Sequence, residues 1–118
     1  MEKIVRQSLL YDFYGELLTE HQKNIYEDIV NNDLSYSEIA NNYGISRQGV
    51  YDIIKRCDNS LEEYEEKLKL VDKFLKARST VLKMQNCISD LKEINKDKET
   101  DEKISEIEKL SQDILNEF

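Results

Sequence analysis

Residues 34–56, LSYSEIANNYGISRQGVYDIIKR, decide the fold. Ser35-Tyr36-Ser37-Glu38 has the form of a capping box, with a hydroxyl for an orphan amide and a glutamate three residues on to reach back. It predicts a short helix that Gly44 stops, because glycine adopts positive φ without steric cost. Ser46 can then cap a second helix through Arg47, Val50, Ile53 and Ile54. Two helices joined this tightly need a small residue where they cross and a permissive residue in the turn. Ala40 and Gly44, four apart, supply them. Ile39, Tyr43, Ile45, Val50 and Ile53 fall where the pair would bury a shared core. The expectation is a helix-turn-helix.

The second helix of such a pair offers its other face to a ligand. Arg47, Gln48, Tyr51, Asp52 and Lys55 project from it. In the usual docking mode its first residues reach base edges in a major groove. Arg47 suits guanine and Gln48 suits adenine. Ser46 and Tyr51 can hold phosphates, and Lys55 and Arg56 the flanking backbone. The free amides at the helix start add an anion site. Against this, residues 46–56 hold three basic residues and one acid, Asp52, a balance of +2. Dedicated DNA binders usually show a larger basic footprint. Helix-turn-helix units also bind proteins, so DNA and protein both stand as ligands.

Working outward, a first helix is expected from about Lys3 to Leu18, with Val5, Leu9, Leu10, Phe13, Tyr14 and Leu17 on its apolar face. Gly15 near its end allows close packing or a bend. Thr19-Glu20-His21-Gln22 is another capping box, and Ile25, Tyr26, Ile29 and Val30 form the buried side of the helix it opens. Asn31-Asn32-Asp33 favours a turn.

On the C-terminal side, Asp58-Asn59-Ser60 reads as a break, and Ser60-Leu61-Glu62-Glu63 as a third capping box. These divide the chain into a helix-turn-helix domain, 1–60, and a helical remainder, 61–118. From Leu61 a helical pattern persists for about thirty residues. Leu70, Phe74, Ala77, Val81, Met84, Ile88 and Leu91 alternate by four and three, a heptad seam, and Leu61, Leu68, Leu75 and Leu82 form a neighbouring row. Residues 95–101 contain no apolar side chain and read as a solvated loop. A last helix carries Ile104, Ile107, Leu110, Ile114, Leu115 and Phe118 on one face. Folding back as a helical hairpin would bury that face, and the seam could also serve a homodimer.

Composition agrees with an all-α protein. There is no proline, and Gly15, Gly44 and Gly49 are the only glycines, too few for the turns of a sheet protein. The net charge is −8, spread over both parts: residues 1–60 hold 6 basic and 10 acidic residues, residues 61–118 hold 11 and 15. Such a chain does not seek polyanions indiscriminately. No run of about 18 apolar residues exists, so no membrane insertion is expected. Met1–Arg6 lacks the apolar core and cleavage site of a signal peptide. Cys57 and Cys87 stand apart and read as two buried, reduced thiols of a cytoplasmic protein. His21 is the only histidine and has no metal-ligand company. Glu62, Glu63, Glu65 and Glu66 read as a solvated helix face, with no pocket for acid-base work. Tyr11 and Tyr14 read as core or rim packing. With no phosphate-cradling loop, no metal site and no cofactor are expected, and an enzyme is not.

Leu10-Tyr11-Asp12-Phe13-Tyr14-Gly15-Glu16-Leu17-Leu18-Thr19, followed by Gln22, resembles the opening signature of the YlxM family of Gram-positive and related bacteria. Residues 34–40, 44–52 and 61–65 continue the match, which covers roughly residues 8–72. The resemblance implies a sigma-factor region-four-like helix-turn-helix, of the winged-helix-like kind, in a regulatory protein. The family's genes typically neighbour those of the signal recognition particle GTPases. That implies a role in protein targeting, either as a DNA-binding regulator or as a factor that binds the particle or its receptor GTPase. Gly49 departs from the alanine many members carry, which loosens the second helix by about 1 kcal/mol at most.

Overall fold

Local capping chemistry sets most helix boundaries. In the computed structural model, which describes residues 1–117, all regular structure is helical: α1 (Lys3–Tyr14), a 3-10 turn (Gly15–Leu17), α2 (Glu20–Val30), α3 (Tyr36–Tyr43), α4 (Arg47–Leu68), α5 (Leu70–Ile94) and α6 (Lys98–Glu117). Phe118 of the expected last apolar face lies outside the described residues. The first two capping boxes form as expected. Thr19 Oγ1 accepts from the Gln22 amide at 3.3 Å while Gln22 Oε1 accepts from the Thr19 amide at 3.2 Å. Ser35 and Glu38 do the same at 3.1 Å in each direction. Gly44 ends α3 at φ 65°, and its amide donates to the Ala40 carbonyl.

The chain divides into two compact units, Met1–Val71 and Asp72–Phe118. In the first, α4 packs against α1, α2 and α3. Leu10 and Tyr14 of α1, Ile25 and Tyr26 of α2, Ile39 of α3, and Val50, Ile54, Cys57 and Leu61 of α4 make its core.

Four expectations are corrected here. The first helix ends at Tyr14, not Leu18, and the chain tightens into the 3-10 turn at Gly15. A Cβ on Gly15 would stand 2.8 Å from the Tyr11 ring, so a side chain is excluded there. Val5, Phe13 and Leu17, expected on the apolar face, are exposed. Second, α4 runs through 58–60 without a break. Asp58 turns inward instead and accepts from the Tyr26 hydroxyl at 2.6 Å and from Gln7 Nε2 at 3.0 Å. With the helix already continuous, the amides at 60–63 have carbonyl partners one turn back, and the capping pattern has no orphan donor to serve.

Third, the real corner is Lys69, at φ 58° between α4 and α5. It is held by a buried polar cluster. The Tyr14 hydroxyl donates to Glu65 Oε1 at 2.6 Å and accepts from the Leu70 amide at 3.1 Å. Glu65 Oε1 also accepts from the Val71 amide at 2.9 Å. So Glu65, 6% exposed, is not part of a solvated acidic face. Glu62 is also engaged, in a two-pronged pair with Arg6 at 2.9 and 2.8 Å; Glu63 and Glu66 are exposed. Arg6 holds the Glu62 carboxyl below its ordinary range.

Fourth, Cys57 is buried but Cys87 is exposed. Burial pushes the Cys57 thiol up to about 11, so it stays protonated and inert.

In the second unit α5 and α6 run antiparallel as a helical hairpin. Gln85 Nε2 donates to Ser111 Oγ and Gln112 Oε1, each at 3.3 Å, and Lys92 pairs with Glu108 at 3.3 Å. Val81, Ile88, Ile104 and Ser111 are buried between the helices. The heptad seam is only partly used: Phe74 and Ala77 are half-buried, while Leu70, Met84 and Leu91 stay exposed. The expected loop 95–101 shrinks to three residues. Asp97 Oδ2 accepts from Thr100 Oγ1 at 2.6 Å and starts α6 early.

Candidate nucleic-acid interface

Ser46 fixes where α4 begins. Its hydroxyl accepts from the Gly49 amide at 2.9 Å, so one of the amides the sequence reading offered to a phosphate is already taken. From this cap, residues 47, 48, 51, 52, 55 and 56 all come to the exposed side. Val50 and Ile54 point the other way and are fully buried, which clamps the helix onto α2 and α3.

Of the expected shared core, Ile39, Ala40 and Val50 are buried, and Ile45 and Ile53 are half-buried. Ile54 takes the deep position beside Ile53. Tyr43 is corrected outright. It is 37% exposed, its hydroxyl donates to Asp28 Oδ2 at 3.1 Å, and its ring meets the edge of His21 at 6.0 Å. Its hydroxyl finds its acceptor on α2 at the rim of the unit rather than in the core. Gly44, in the turn, is exposed.

The exposed face is more organised than single residues suggest. Gln48 Nε2 donates to Asp52 Oδ1 at 3.0 Å, one turn on. Tyr51 lies edge-on to Tyr36 of α3 at 6.3 Å, and Lys55 Nζ sits 5.9 Å over its ring. Tyr36, Arg47, Gln48 and Tyr51 line an open cleft of about 450 Å³. Four of the six residues singled out, Arg47, Gln48, Tyr51 and Lys55, therefore share one helix face that Ser46 caps, while Arg56 is exposed on the side away from Arg47. Tyr36 was not singled out; it fell in a capping box and was read for that alone. The Gln48–Asp52 pair was visible as an i, i+4 spacing. Asp52 holds Gln48 in place and adds a carboxylate to this face.

This geometry defines a helix-turn-helix protein. No strand occurs among the described residues, so the pair carries no wing. The family model described as "Putative helix-turn-helix protein, YlxM / p13 like" matches residues 1–111, and the chain belongs to that family. It is similar to the UPF0122 proteins of Bacillus cereus strain AH187, Bacillus anthracis strain A0248 and Bacillus thuringiensis subsp. konkukian strain 97-27. Each is 43% identical over 110 residues, covering 93% of this chain and 98% of the relative. The opening signature now has a physical meaning. Tyr11 stacks on Tyr26, Tyr14 pins Glu65, and Gly15 makes room for Tyr11. These residues build the scaffold rather than a site. Among the described residues no helix is long and apolar enough to cross a membrane.

Proposed function

We propose that the protein is a DNA-binding regulator that lays the first two turns of α4 in a major groove. The carrying observation is the grouping of Arg47, Gln48 and Tyr51 on one exposed face directly after a capped helix start, on a helix clamped by three others. Arg47 reads guanine and Gln48 adenine, Gln48 being pre-oriented by Asp52. Tyr51 and Ser46 hold phosphates, and Lys55 and Arg56 the flanking backbone. The local charge of +2 is small, so two copies on one duplex, as a homodimer, give the contact its strength. The setting is the cytoplasm and the signal recognition particle pathway, which the family resemblance implies.

A duplex selected from random sequence tests this reading. Binding falls with salt at a log-log slope of about −0.9 per phosphate neutralised. Arg47→Ala weakens it by about 1–3 kcal/mol. Binding unchanged by Arg47→Ala would sink the assignment.

One observation favours a second reading, a factor that binds the particle or its receptor GTPase without DNA. The net charge of −8 suits a basic, RNA-binding surface better than a polyanion. Retention of particle components on the immobilised protein, with no selected duplex, would establish it over the first.

A further inference from the structure

Gln48 and Asp52 stand one turn apart on the exposed side of α4, and their contact restricts what the amide can read. A carboxylate only accepts. The 3.0 Å contact therefore takes one N–H of the Gln48 amide and turns its nitrogen end toward Asp52. An aspartate four residues before an arginine on a helix is spaced for an ion pair, and Arg56 stands at that place. Lys55 is three residues on. Among the described residues neither cation pairs with Asp52, and Lys55 lies over the Tyr51 ring instead. The carboxylate turns back to the amide.

Held in this way, Gln48 keeps its carbonyl oxygen and one N–H for a ligand. In a major groove adenine presents the N6 donor beside the N7 acceptor, and one carbonyl with one N–H meets both. Guanine presents two acceptors, O6 and N7. An unrestrained glutamine can turn about its last torsion and offer guanine both N–H groups. With one N–H held by Asp52 that arrangement is closed, and a guanine would leave acceptor facing acceptor.

We propose that Asp52 is a positioning residue that sets the specificity of α4: by holding one amide hydrogen of Gln48, it makes that residue read adenine and reject guanine. The inference rests on the DNA reading above and adds which base Gln48 refuses, and why. It also accounts for an acid on a face that has few cations. Without Asp52, residues 46–56 would carry +3 rather than +2. The carboxylate weakens contact with every duplex alike, and the gain is discrimination between duplexes.

Two duplexes test it: the one selected by the full chain, and the same duplex with G·C in place of A·T at the pair Gln48 reads. That pair is the one at which Gln48→Ala levels the preference. Wild type should favour the adenine duplex about tenfold or more. Asp52→Ala should gain affinity for the guanine duplex, and its preference should fall to about threefold or less. In a Gln48→Ala background, Asp52→Ala should leave the ratio of the two affinities unchanged, because the aspartate acts through the amide. A purely electrostatic role would move both affinities together and spare the ratio. An adenine preference in Asp52→Ala equal to that of wild type would therefore overturn the assignment and leave the DNA reading in place. The same holds for a ratio that Asp52→Ala shifts equally with and without Gln48, and for a selected site in which Gln48→Ala levels no pair. Failure to select any duplex, or a selected duplex whose binding ignores Arg47→Ala, would overturn both.

Discussion

The two units solve the same problem, burying helix faces, by different means. Residues 1–71 join an apolar core to buried polar pins: Tyr14 to Glu65, and Tyr26 with Gln7 to Asp58. The hairpin relies mainly on amphipathic periodicity. Its polar contacts lie along one edge, and Val81, Ile88 and Ile104 are its only buried large apolar side chains among the described residues. Pins of this kind set register, because each donor has one acceptor at one place. A periodic face fixes a helix's rotation but leaves its partner open. The first unit is thus fixed by its own pins, whereas the hairpin leaves Met84, Leu91, Ile107, Leu110 and Ile114 exposed.

The largest expected effect tests the pins. Glu65→Ala leaves the Tyr14 hydroxyl and the Val71 amide without their acceptor and opens a cavity, costing about 3 kcal/mol. In urea denaturation followed by tyrosine fluorescence the first unit should lose that much; a loss below about 1 kcal/mol would mean that water substitutes for the carboxylate. Next, Ile104→Ala removes one of the hairpin's few buried side chains and should cost about 2–4 kcal/mol. Amide hydrogen exchange should show the loss in α5 and α6 and leave α1–α4 protected. Opening of both units together would erase the contrast between them.

Alkaline pH offers a selective probe, because all seven tyrosines lie in residues 1–71. Burial, then the bond to Glu27, pushes the Tyr11 phenol up to about 12, and burial with the bond to Asp58 pushes Tyr26 higher still. A raised phenol contributes stability that is fully present below the unfolded value of 10.0 and is lost as pH rises through the folded value. The first unit should therefore weaken from pH 10.0 upward, with Tyr26 the last phenol to ionise by absorbance. Tyr26→Phe should cost about 1 kcal/mol at neutral pH, since Asp58 keeps the Gln7 amide, and should flatten this alkaline loss. An unchanged alkaline profile would assign the loss elsewhere.

The smallest effect concerns Gly49. Alanine there gains helix propensity, but its Cβ would meet Ser46 Oγ at 3.1 Å, against the cap. The two should cancel to within about 0.5 kcal/mol in thermal unfolding. A larger loss would show that the cap cannot shift.

How legible this was depended on where the deciding chemistry sat. The starts of α2, α3 and α4 were readable because a cap uses residues within one turn. The supposed break at 58–60 was misread because Asp58 answers to Tyr26 and Gln7, 32 and 51 residues away. The true corner at Lys69 gave no signal. Lysine is no helix breaker, and its left-handed backbone is held by Glu65 and Tyr14. The same distance hid Glu65 in an apparent acidic surface run. At the candidate interface the residue positions followed from helical spacing alone. Their mutual arrangement needed Tyr36 from a different helix.

The unbroken α4 has one more consequence. Twenty-two residues of helix make a rod about 33 Å long. Its far half is bolted down by Arg6, Tyr26 and Tyr14 through Glu62, Asp58 and Glu65. Its near end carries side chains that support nothing else in the core. Arg47, Gln48 and Lys55 can therefore be exchanged for other residues without loosening the shaft behind them. In a lineage of such chains, the tip can drift to new ligands while the scaffold stays fixed.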